Sequence, residues 1–449
     1  MNYHIILLFS LLSFNLSAQQ ILSLGECRTM AVEYNKSLRM AKLDADQAIA
    51  RQKEARTAFL PSIDASGSAS FFPSMDDISI PGFHLPTADA NGNTTGTSDV
   101  YFPGLSLDTE MLKFYQAQLS MTIPIYGGGQ IRYANKLADK SLEISQHAMN
   151  LQNDQVIQTV EDSYWGIISL EANIDVANHY VTMLDSLEEK LNEMYRLGLA
   201  PKSEQLKVSV QRNDARLSLL RANNGLKILK MRLCQLVGLP IDSNISLSDQ
   251  LVDDVQMPDV TNAWLIASEN RHDLKILEKQ VDIYSLKQKY TSAAYLPSVG
   301  AQLSHGYFHV PDLIDGQWNT TVSAQISVPV FHWGEKKHKV SSAHIEMLKS
   351  QVQYEDSRES MQLEVQQHIL YLNEGMEAIL LAQKGCSEAQ ESLEEVKASY
   401  DIGLNSTTDL LDAQAAWQKA EANRIQSLVK FEMEKTAFLR SIGLLNSDK

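Results

Sequence analysis

The sequence is short of cysteine and, over much of its length, of proline. Its three cysteines, Cys27, Cys234 and Cys386, are odd in number and scattered, which argues against a disulfide framework or a paired-cysteine metal site and favours buried thiols. No proline follows Pro329, and residues 125–200 also contain none. Because proline interrupts helices, these two stretches predict long helices.

Positive charge is also in short supply. The 449 residues include 39 Lys and Arg against 55 Asp and Glu, which gives a formal net charge of −16. A protein that binds nucleic acid needs basic stripes, and none is apparent along the chain, so a nucleic-acid partner is not expected. With 44% hydrophobic and 21% charged residues, the composition is that of a folded protein.

Long apolar runs are confined to the N-terminus. Residues 1–18 have the pattern of a secretory signal peptide, with an apolar segment from Ile5 to Leu12 and a cleavage site at Leu16-Ser-Ala18. A membrane anchor is the alternative, but the run is short for a span, and no other window is apolar enough for a transmembrane helix. Cys27 follows Glu26, which does not suit lipoprotein processing, so export without an acyl anchor is expected.

What the sequence does contain is an internal repeat. A shift of 205 positions (195 to 400) aligns two similar segments, residues 118–240 and 323–445, without a gap. The aligned pairs are Tyr195-Arg-Leu-Gly-Leu199 with Tyr400-Asp-Ile-Gly-Leu404, Pro124 with Pro329, Gly129 with Gly334, and Gly238 with Gly443. The chain is therefore predicted to consist of two structural repeats, 19–240 and 263–445, with a linker at 241–262 and a tail at 446–449.

Each repeat is predicted to have the order helix, strand, strand, long helix, return helix. The first opens with a helix over 24–59, and the second opens with a matching helix that ends before Pro297. The remaining predicted elements of the first repeat are strands at about 62–72 and 116–126, a long helix at 130–197 and a return helix at 202–237. Those of the second are strands at about 298–307 and 320–331, a long helix at 335–402 and a return helix at 407–441.

The predicted strands alternate between apolar residues and uncharged polar ones. Ser, Thr, Gln and Gly occupy the polar positions, with Asp64 as the single charge. A transmembrane β-barrel predicts this pattern, and the edge of a β-sandwich fits the strands alone about equally well. The signal peptide and the long helices favour the barrel. The first repeat has 31 additional residues around Pro73 to Gly104, whose composition predicts an extracellular loop.

The helices are long enough to build a tube. Residues 130–197 would extend roughly 100 Å at about 1.5 Å per residue. The return helix from 409 onward has two apolar seams rich in alanine, one through Leu411 and Ala415 and one through Ala413 and Trp417. Two seams indicate a helix with a neighbour on each side. A globular bundle would also show them, but two hairpins of this length favour a ring of helices.

These features together resemble the TolC-type outer-membrane efflux proteins, the outer membrane factors of tripartite efflux and type I secretion systems. The resemblance covers nearly the whole mature chain and rests on the order, duplication and spacing of motifs that are each weak alone. They are Phe59-Leu-Pro-Ser62, Tyr295-Leu-Pro-Ser298, Pro124-Ile-Tyr-Gly-Gly-Gly129, Pro329-Val-Phe-His-Trp-Gly334, the two Tyr-x-x-Gly-Leu turns and Leu411-Asp-Ala-Gln414.

The resemblance implies a mainly α fold with transmembrane β structure. Four strands per chain would form a trimeric 12-stranded β-barrel that is continuous with a long α-helical coiled-coil periplasmic tunnel, and the linker 241–262 would be equatorial. It also implies a passive exit duct in the outer membrane of a Gram-negative bacterium. Its partners would be outer-membrane lipid, a periplasmic adaptor protein and an inner-membrane transporter. No enzymatic activity and no cofactor are expected.

The resemblance further implies roles for residues around the two glycine turns. Six of them look like the tunnel tip that contacts the adaptor: Tyr195, Gly198, Leu199, Tyr400, Gly403 and Leu404. Three acidic residues beyond the turns, Glu204, Asp409 and Asp412, look like a pore gate that would attract cations and repel anions. The alternative interpretation of Asp409 is a charge at a helix start, which the macrodipole favours. Asn405 stands where some members have arginine, which weakens the case for a salt-bridged lock.

Three other interpretations have less support. An exported coiled-coil scaffold or adhesin without a pore remains the alternative if the strands are soluble. An exported enzyme has no support from a nucleophile motif, and the glycines at 127–129 lack the rest of a phosphate-binding loop. His305, His309 and His332 could converge as a metal site near the outer face of a barrel, but they have no ligand motif.

Overall fold

The computed structural model describes residues 20–72, 78–107, 112–311 and 314–445. The predicted signal peptide and the tail 446–449 lie outside these ranges. The described chain forms two compact units. The first, called the helical unit, contains residues up to Ile49, Lys140–Asp282 and the residues from Leu348 onward. The second, called the strand unit, contains Ala50–Asp139 and Ile283–Met347.

The described residues are mostly helical, and their strands form four separate sheets. In chain order they are β1 Gln20–Leu22, α1 Leu24–Tyr34, α2 Lys36–Thr57, β2 Ser62–Phe72, β3 Ile78–Ile80, β4 Phe83–Ala88, β5 Thr94–Phe102, β6 Leu105–Leu107, β7 Leu112–Gly127, α3 Gln130–Arg196, α4 Lys202–Val237, β8 Ile245–Leu247, α5 Ala263–Asn270, α6 His272–Ala293, β9 Ser298–Val310, β10 Ile314–Ser327, α7 Glu335–Asp401 and α8 Thr407–Ser441. The predicted fold class, mainly helical with strands, is confirmed at this level.

The predicted single helix over 24–59 is wrong in one respect, because it is broken at Asn35. The backbone of Asn35 is extended (φ −63°, ψ 127°) and ends α1. Its side-chain oxygen accepts hydrogen bonds from the backbone N–H groups of Ser37 (2.9 Å) and Leu38 (3.3 Å), which caps α2. The second repeat breaks at Arg271, also extended (φ −60°, ψ 120°), between α5 and α6.

A four-stranded antiparallel sheet is the centre of the strand unit. Its strand order is β10-β9-β7-β2, so β2 and β10 are its edges. The register places Tyr115 opposite His309 and Ile63 opposite Met121. A bulge between Pro124 and Tyr126 re-aligns the end of β7 with β9.

The register gives the sheet two chemically different faces. The face called the apolar face holds alternate residues such as Ile63, Leu119, Leu303 and Val322, and Val322 is 77% exposed. The opposite face, called the polar face, is lined by Ser, Thr, Gln, Asn and Gly over most of its length, and its one charged residue among the paired positions is Asp64. An exposed apolar face of this size would be unfavourable in water.

Residues 73–77 lie outside the described ranges. The remaining additional residues of the first repeat contain strands, where their composition predicts irregular structure. They form two antiparallel strand pairs, β3 with β6 and β4 with β5. The β4–β5 hairpin closes on Asp89, whose carboxylate accepts hydrogen bonds from the backbone of Asn91 and Asn93 (both 2.9 Å), while Gly92 adopts φ +85°. The Gly, Asn and Asp content therefore reflects a tight turn between strands.

The helical unit is held together by packing along the long helices. One cluster surrounds the fully buried Tyr164 of α3, whose hydroxyl donates to Asp249 (2.7 Å), and joins α3 to α1 and α4. A second centres on Phe431 and Phe438 of α8 and joins α5, α7 and α8. A third lies near the helix ends and includes Leu184, Val208 and Leu410. β1, at the start of the described chain, pairs in parallel with β8, which lies inside the predicted linker 241–262.

Within the described ranges, no helix combines the length and apolarity that a bilayer-spanning helix requires.

Candidate functional site: two glycine turns and the helices that follow

The long helix α3 ends in a turn built on Gly198. The N–H of Gly198 donates to the carbonyl of Tyr195 (3.0 Å) and that of Leu199 donates to Met194 (2.8 Å), which is the Schellman pattern. Gly198 has φ +71°, a backbone conformation that L-residues with side chains rarely adopt. A side chain at this position would meet nothing within 4 Å, so the backbone angle, not space, selects glycine.

The long helix α7 ends in the same way. Gly403 has φ +80°, its N–H donates to Tyr400 (3.0 Å), and the N–H of Leu404 donates to Ser399 (2.9 Å). The two turns present a similar set of exposed apolar side chains: Leu197, Leu199, Ile402 and Leu404 are 70 to 75% exposed. Apolar side chains grouped at a turn and left in solvent are unfavourable in water.

Asp409 has a defined structural role at the start of α8. Its backbone N–H donates to the Ser406 hydroxyl (3.2 Å), and its carboxylate accepts from the backbone N–H (2.8 Å) and hydroxyl (2.7 Å) of Ser406, a reciprocal capping box. These hydrogen bonds from Ser406 hold the pKa of Asp409 below its ordinary value. The helix-start interpretation of Asp409 therefore describes the single chain correctly. Asp412 is exposed one turn further along α8.

The first return helix, α4, begins differently. Pro201 precedes it and provides no side-chain cap. Glu204 lies in its first turn, where Lys207 approaches it (3.5 Å) and also donates to the hydroxyl of Thr408 on α8 (3.1 Å). The shift of 205 that aligns the repeats places Lys207 at the position of Asp412. The two helix starts thus differ in charge, because the first carries Glu and Lys where the second carries two Asp.

A second contact joins the two hairpins beside the turns. Lys190 of α3 forms an ion pair with Asp401 of α7 (2.8 Å), and its ammonium lies 5.3 Å from the ring centroid of Tyr400. The hydrogen bond and charge of Lys190 lower the pKa of Asp401, and Asp401 raises that of Lys190. Tyr400, one of the predicted tip residues, therefore lies beside this ion pair, whose lysine is not apparent from the sequence.

Among the predicted tip residues, Tyr400 packs beside residues of the return helices, whereas Leu199 and Leu404 of the turns remain exposed. Leu410 and Leu411 of α8, Tyr400 of α7 and Val208 of α4 belong to one apolar cluster. Lys190 and Lys207 were missed because a lysine on a polar helix face gives no signal alone. For Lys207, the sequence signal is the change of charge between Lys207 and its repeat-equivalent Asp412.

The three histidines considered for a metal site do not converge. His305 hydrogen-bonds to Thr320 (2.8 Å) and stacks on Trp318, and His309 hydrogen-bonds to the carbonyl of Ile314 (3.1 Å). His332 follows the other end of the sheet. Among the residues that the structure describes, no group of three or more His, Cys, Asp or Glu is arranged to hold a metal ion.

A sheet with one apolar and one uncharged polar face, combined with long helix hairpins, is typical of the class of outer-membrane channel proteins. The model of the family described as "Outer membrane efflux protein" matches residues 28–239 and 266–430, which is most of the chain. The chain belongs to this family, and it is an outer-membrane transport protein of the TolC type.

Individual relatives agree with this assignment. The outer membrane protein TolC of Escherichia coli (strain K12) is 21% identical over 435 residues, covering 92% of this chain and 80% of TolC. The structure is similar to that of the CmeC outer membrane channel of Campylobacter jejuni (TM-score 0.75, 17% identity, 94% of this chain and 86% of CmeC). It is also similar to the outer membrane protein VceC of Vibrio cholerae (TM-score 0.73, 15% identity, 94% and 96%).

Proposed function

We propose that three copies of this chain form the outer-membrane exit duct of a tripartite efflux pump or type I secretion system. The observation that carries the proposal is the sheet with one apolar face, one uncharged polar face and two free edges, β2 and β10. Unpaired backbone groups at a strand edge are costly in a bilayer, so a spanning sheet must close on itself. Three copies supply twelve strands, with β2 of one chain pairing with β10 of the next.

The dimensions of the apolar face fit this role. Its aromatic residues lie toward the two ends of the strands, with Tyr115, Tyr307 and Trp318 near one end and Tyr126 near the other. The eleven steps from Tyr115 to Tyr126 correspond to roughly 37 Å along a strand and to about 28 Å across a bilayer for strands tilted by about 40°. That height agrees with the apolar band of outer-membrane barrels, which is flanked by aromatic girdles.

The two glycine turns are proposed as the contact surface for a periplasmic adaptor, which in turn binds an inner-membrane transporter. The residues that serve this contact are Tyr195, Gly198, Leu199, Tyr400, Gly403 and Leu404. The support is the shared turn geometry and the exposed Leu199 and Leu404 at equivalent positions. Two equivalent turns per chain would give six docking points in a trimer.

The acidic residues after the turns are proposed as the gate. In a trimer, Asp409 and Asp412 would place six carboxylates around the periplasmic entrance, and such rings favour cations. Glu204 would contribute less, because Lys207 lies beside it. The cap that Asp409 forms with Ser406 does not exclude this role, since it positions the carboxylate at the first turn of α8.

Single-channel conductance in a planar bilayer, combined with crosslinking to count subunits, tests the proposal. We expect a stable, cation-selective conductance from a trimer whose migration on a gel changes on heating, as a β-barrel requires. A monomer, or a trimer that never conducts even when the tip contacts are removed, would overturn the duct and favour the scaffold without a pore.

A further inference from the structure

Basic residues are concentrated where the helices of the strand unit meet the sheet. The four helical segments next to the strands, residues 50–59, 130–139, 284–297 and 335–347, contain ten Lys and Arg but four Asp and Glu. The whole chain has the opposite balance, with 39 basic and 55 acidic residues. The concentration is confined to the helical segments of the strand unit. The segments that carry the strands, residues 60–129 and 298–334, contain a single Lys or Arg, Lys113.

Many of these cations have no partner in the protein. Arg132 and Lys289 are exposed and form no ion pair or hydrogen bond with the described residues, and the same holds for Lys336 and Lys337. The acidic residues of the same segments are mostly engaged: Asp139 accepts from Gln52 (2.7 Å), Glu346 from Lys287 (3.3 Å) and Glu335 from Lys339 (2.5 Å). The surplus positive charge is therefore available to an external anion.

Arg132 and Lys289 also line a cavity at the end of the apolar face. The cavity has a volume of about 510 Å³, and Phe59, Tyr126 and Leu296 are among its walls. Tyr126 pairs with Val299 after the bulge in β7, which places it on the apolar face. Phe59 is 52% exposed and Tyr126 49%. Apolar surface, aromatic rings and free cations therefore follow one another over a short distance.

We infer that Arg132 and Lys289 bind the phosphate groups of anionic phospholipids in the inner leaflet of the outer membrane. The inference rests on the proposed barrel, which puts the apolar face in the bilayer and these helix ends at its periplasmic boundary. Phosphates of that leaflet lie where the apolar band ends, and a cation near an anionic lipid surface gains about five-fold in binding. The cavity beside the cations accommodates the upper part of an acyl chain, since its walls are largely apolar.

The test compares lipid headgroups on the intact trimer. The full-length protein is purified in mild detergent with equal amounts of phosphatidylglycerol and phosphatidylcholine, and the lipids retained are counted by native mass spectrometry. We expect the wild type to retain phosphatidylglycerol preferentially and to lose the preference in 0.5 M NaCl, because salt screens exposed charges. R132Q/K289Q is expected to lower the preference about ten-fold or more.

Two further variants keep the result interpretable. R221Q/K227Q removes one exposed Arg and one exposed Lys without described partners from α4, in the helical unit, and should behave as the wild type. R132K/K289R exchanges the two cations and should retain the preference. If the double glutamine variant does not fold, R132Q and K289Q singly provide the same comparison.

The outcomes separate this inference from the proposed function. Equal retention of both headgroups by a folded wild-type trimer, or an unchanged preference in R132Q/K289Q, would overturn the phosphate site and leave the duct standing. A protein that forms no heat-modifiable trimer and retains neither lipid would overturn the barrel itself.

Discussion

Lys190 and Asp401 connect the two helix hairpins of the chain. The Lys190 ammonium lies 2.8 Å from the carboxylate of Asp401, which is the last residue of α7. Both side chains are about half exposed. The same lysine covers one face of the Tyr400 ring. An ion pair that ties two hairpins at their ends restrains how far those ends can separate.

This ion pair should make the tip sensitive to acid. Lys190 holds the pKa of Asp401 below its ordinary value. The stabilisation is therefore fully present above the ordinary carboxyl pKa, near 4, and is lost as the pH falls through the lowered value. We expect K190Q to raise the open probability at neutral pH about two- to three-fold, a modest effect because the pair is exposed. The measurement is open probability against pH, with K227Q as the control. A K190Q channel identical to the wild type at neutral pH would show that the pair does not restrain the tip.

The proposed acidic gate predicts a change in the block of the channel by cations. Asparagine is the better replacement at position 409, because its side-chain oxygen can still accept a hydrogen bond from Ser406, whereas D409A/D412A also removes this half of the capping box. We expect D409N/D412N to weaken block of the channel by multivalent cations at least ten-fold, because two charges per chain are lost from the ring. The control, D175N/D356N, removes two exposed aspartates from the long helices. Undiminished block in D409N/D412N would exclude these residues from the gate.

Replacing glycine by alanine should have opposite effects on stability at Gly403, in the turn after α7, and at Gly385, inside α7. Gly403 has φ +80°, so alanine there should cost about 1–2 kcal/mol locally and disturb the turn that presents Leu404. Gly385 lies inside α7 with nothing within 4 Å, and alanine there should stabilise the helix by about 1 kcal/mol. Hydrogen exchange of the last turns of α7 measures both, and loss of adaptor binding only in G403A would support the docking proposal. Equal exchange in the two variants would contradict the left-handed turn.

The helix break at Arg271 predicts a loss of stability. Arg271 is 7% exposed, forms ion pairs with Asp273 and Glu364 (both 2.7 Å), and donates to the Ser441 carbonyl (3.0 Å). R271M leaves the Ser441 carbonyl and two partly exposed carboxylates without this partner, which should cost about 1–3 kcal/mol. Thermal unfolding in detergent, followed by circular dichroism, should show it, and R221M on an exposed face should change little. A shift no larger than that of R221M would mean that the neighbours of Arg271 find other partners.

The sequence was most informative where a residue restricts the backbone. Pro61 and Pro297 fix where helices give way to strands, and β2 and β9 begin at the next residue. Gly198 and Gly403 fix the ends of α3 and α7 in the same manner, because only glycine adopts their angles at little cost.

The sequence was least informative where a contact decides the structure. Asn35 is tolerated inside helices, and it breaks one here because its side chain caps α2 and donates to the carbonyl of Leu236 (3.2 Å) on a distant helix. Lys190 and Lys207 take their roles from partners on the other hairpin. No spacing along the chain shows such partners in advance.

In the proposed barrel, where the polar face would line the duct, the near absence of charge on this face has a consequence for the molecules that pass through. Side chains of serine, threonine, glutamine and asparagine exchange hydrogen bonds with water and with a travelling molecule at similar energies. A surface of this kind would neither bind a passing molecule tightly nor repel it strongly, except at Asp64. Discrimination between cargoes then falls to whatever loads the duct, and the wall itself can serve molecules of very different chemistry without being rebuilt for each.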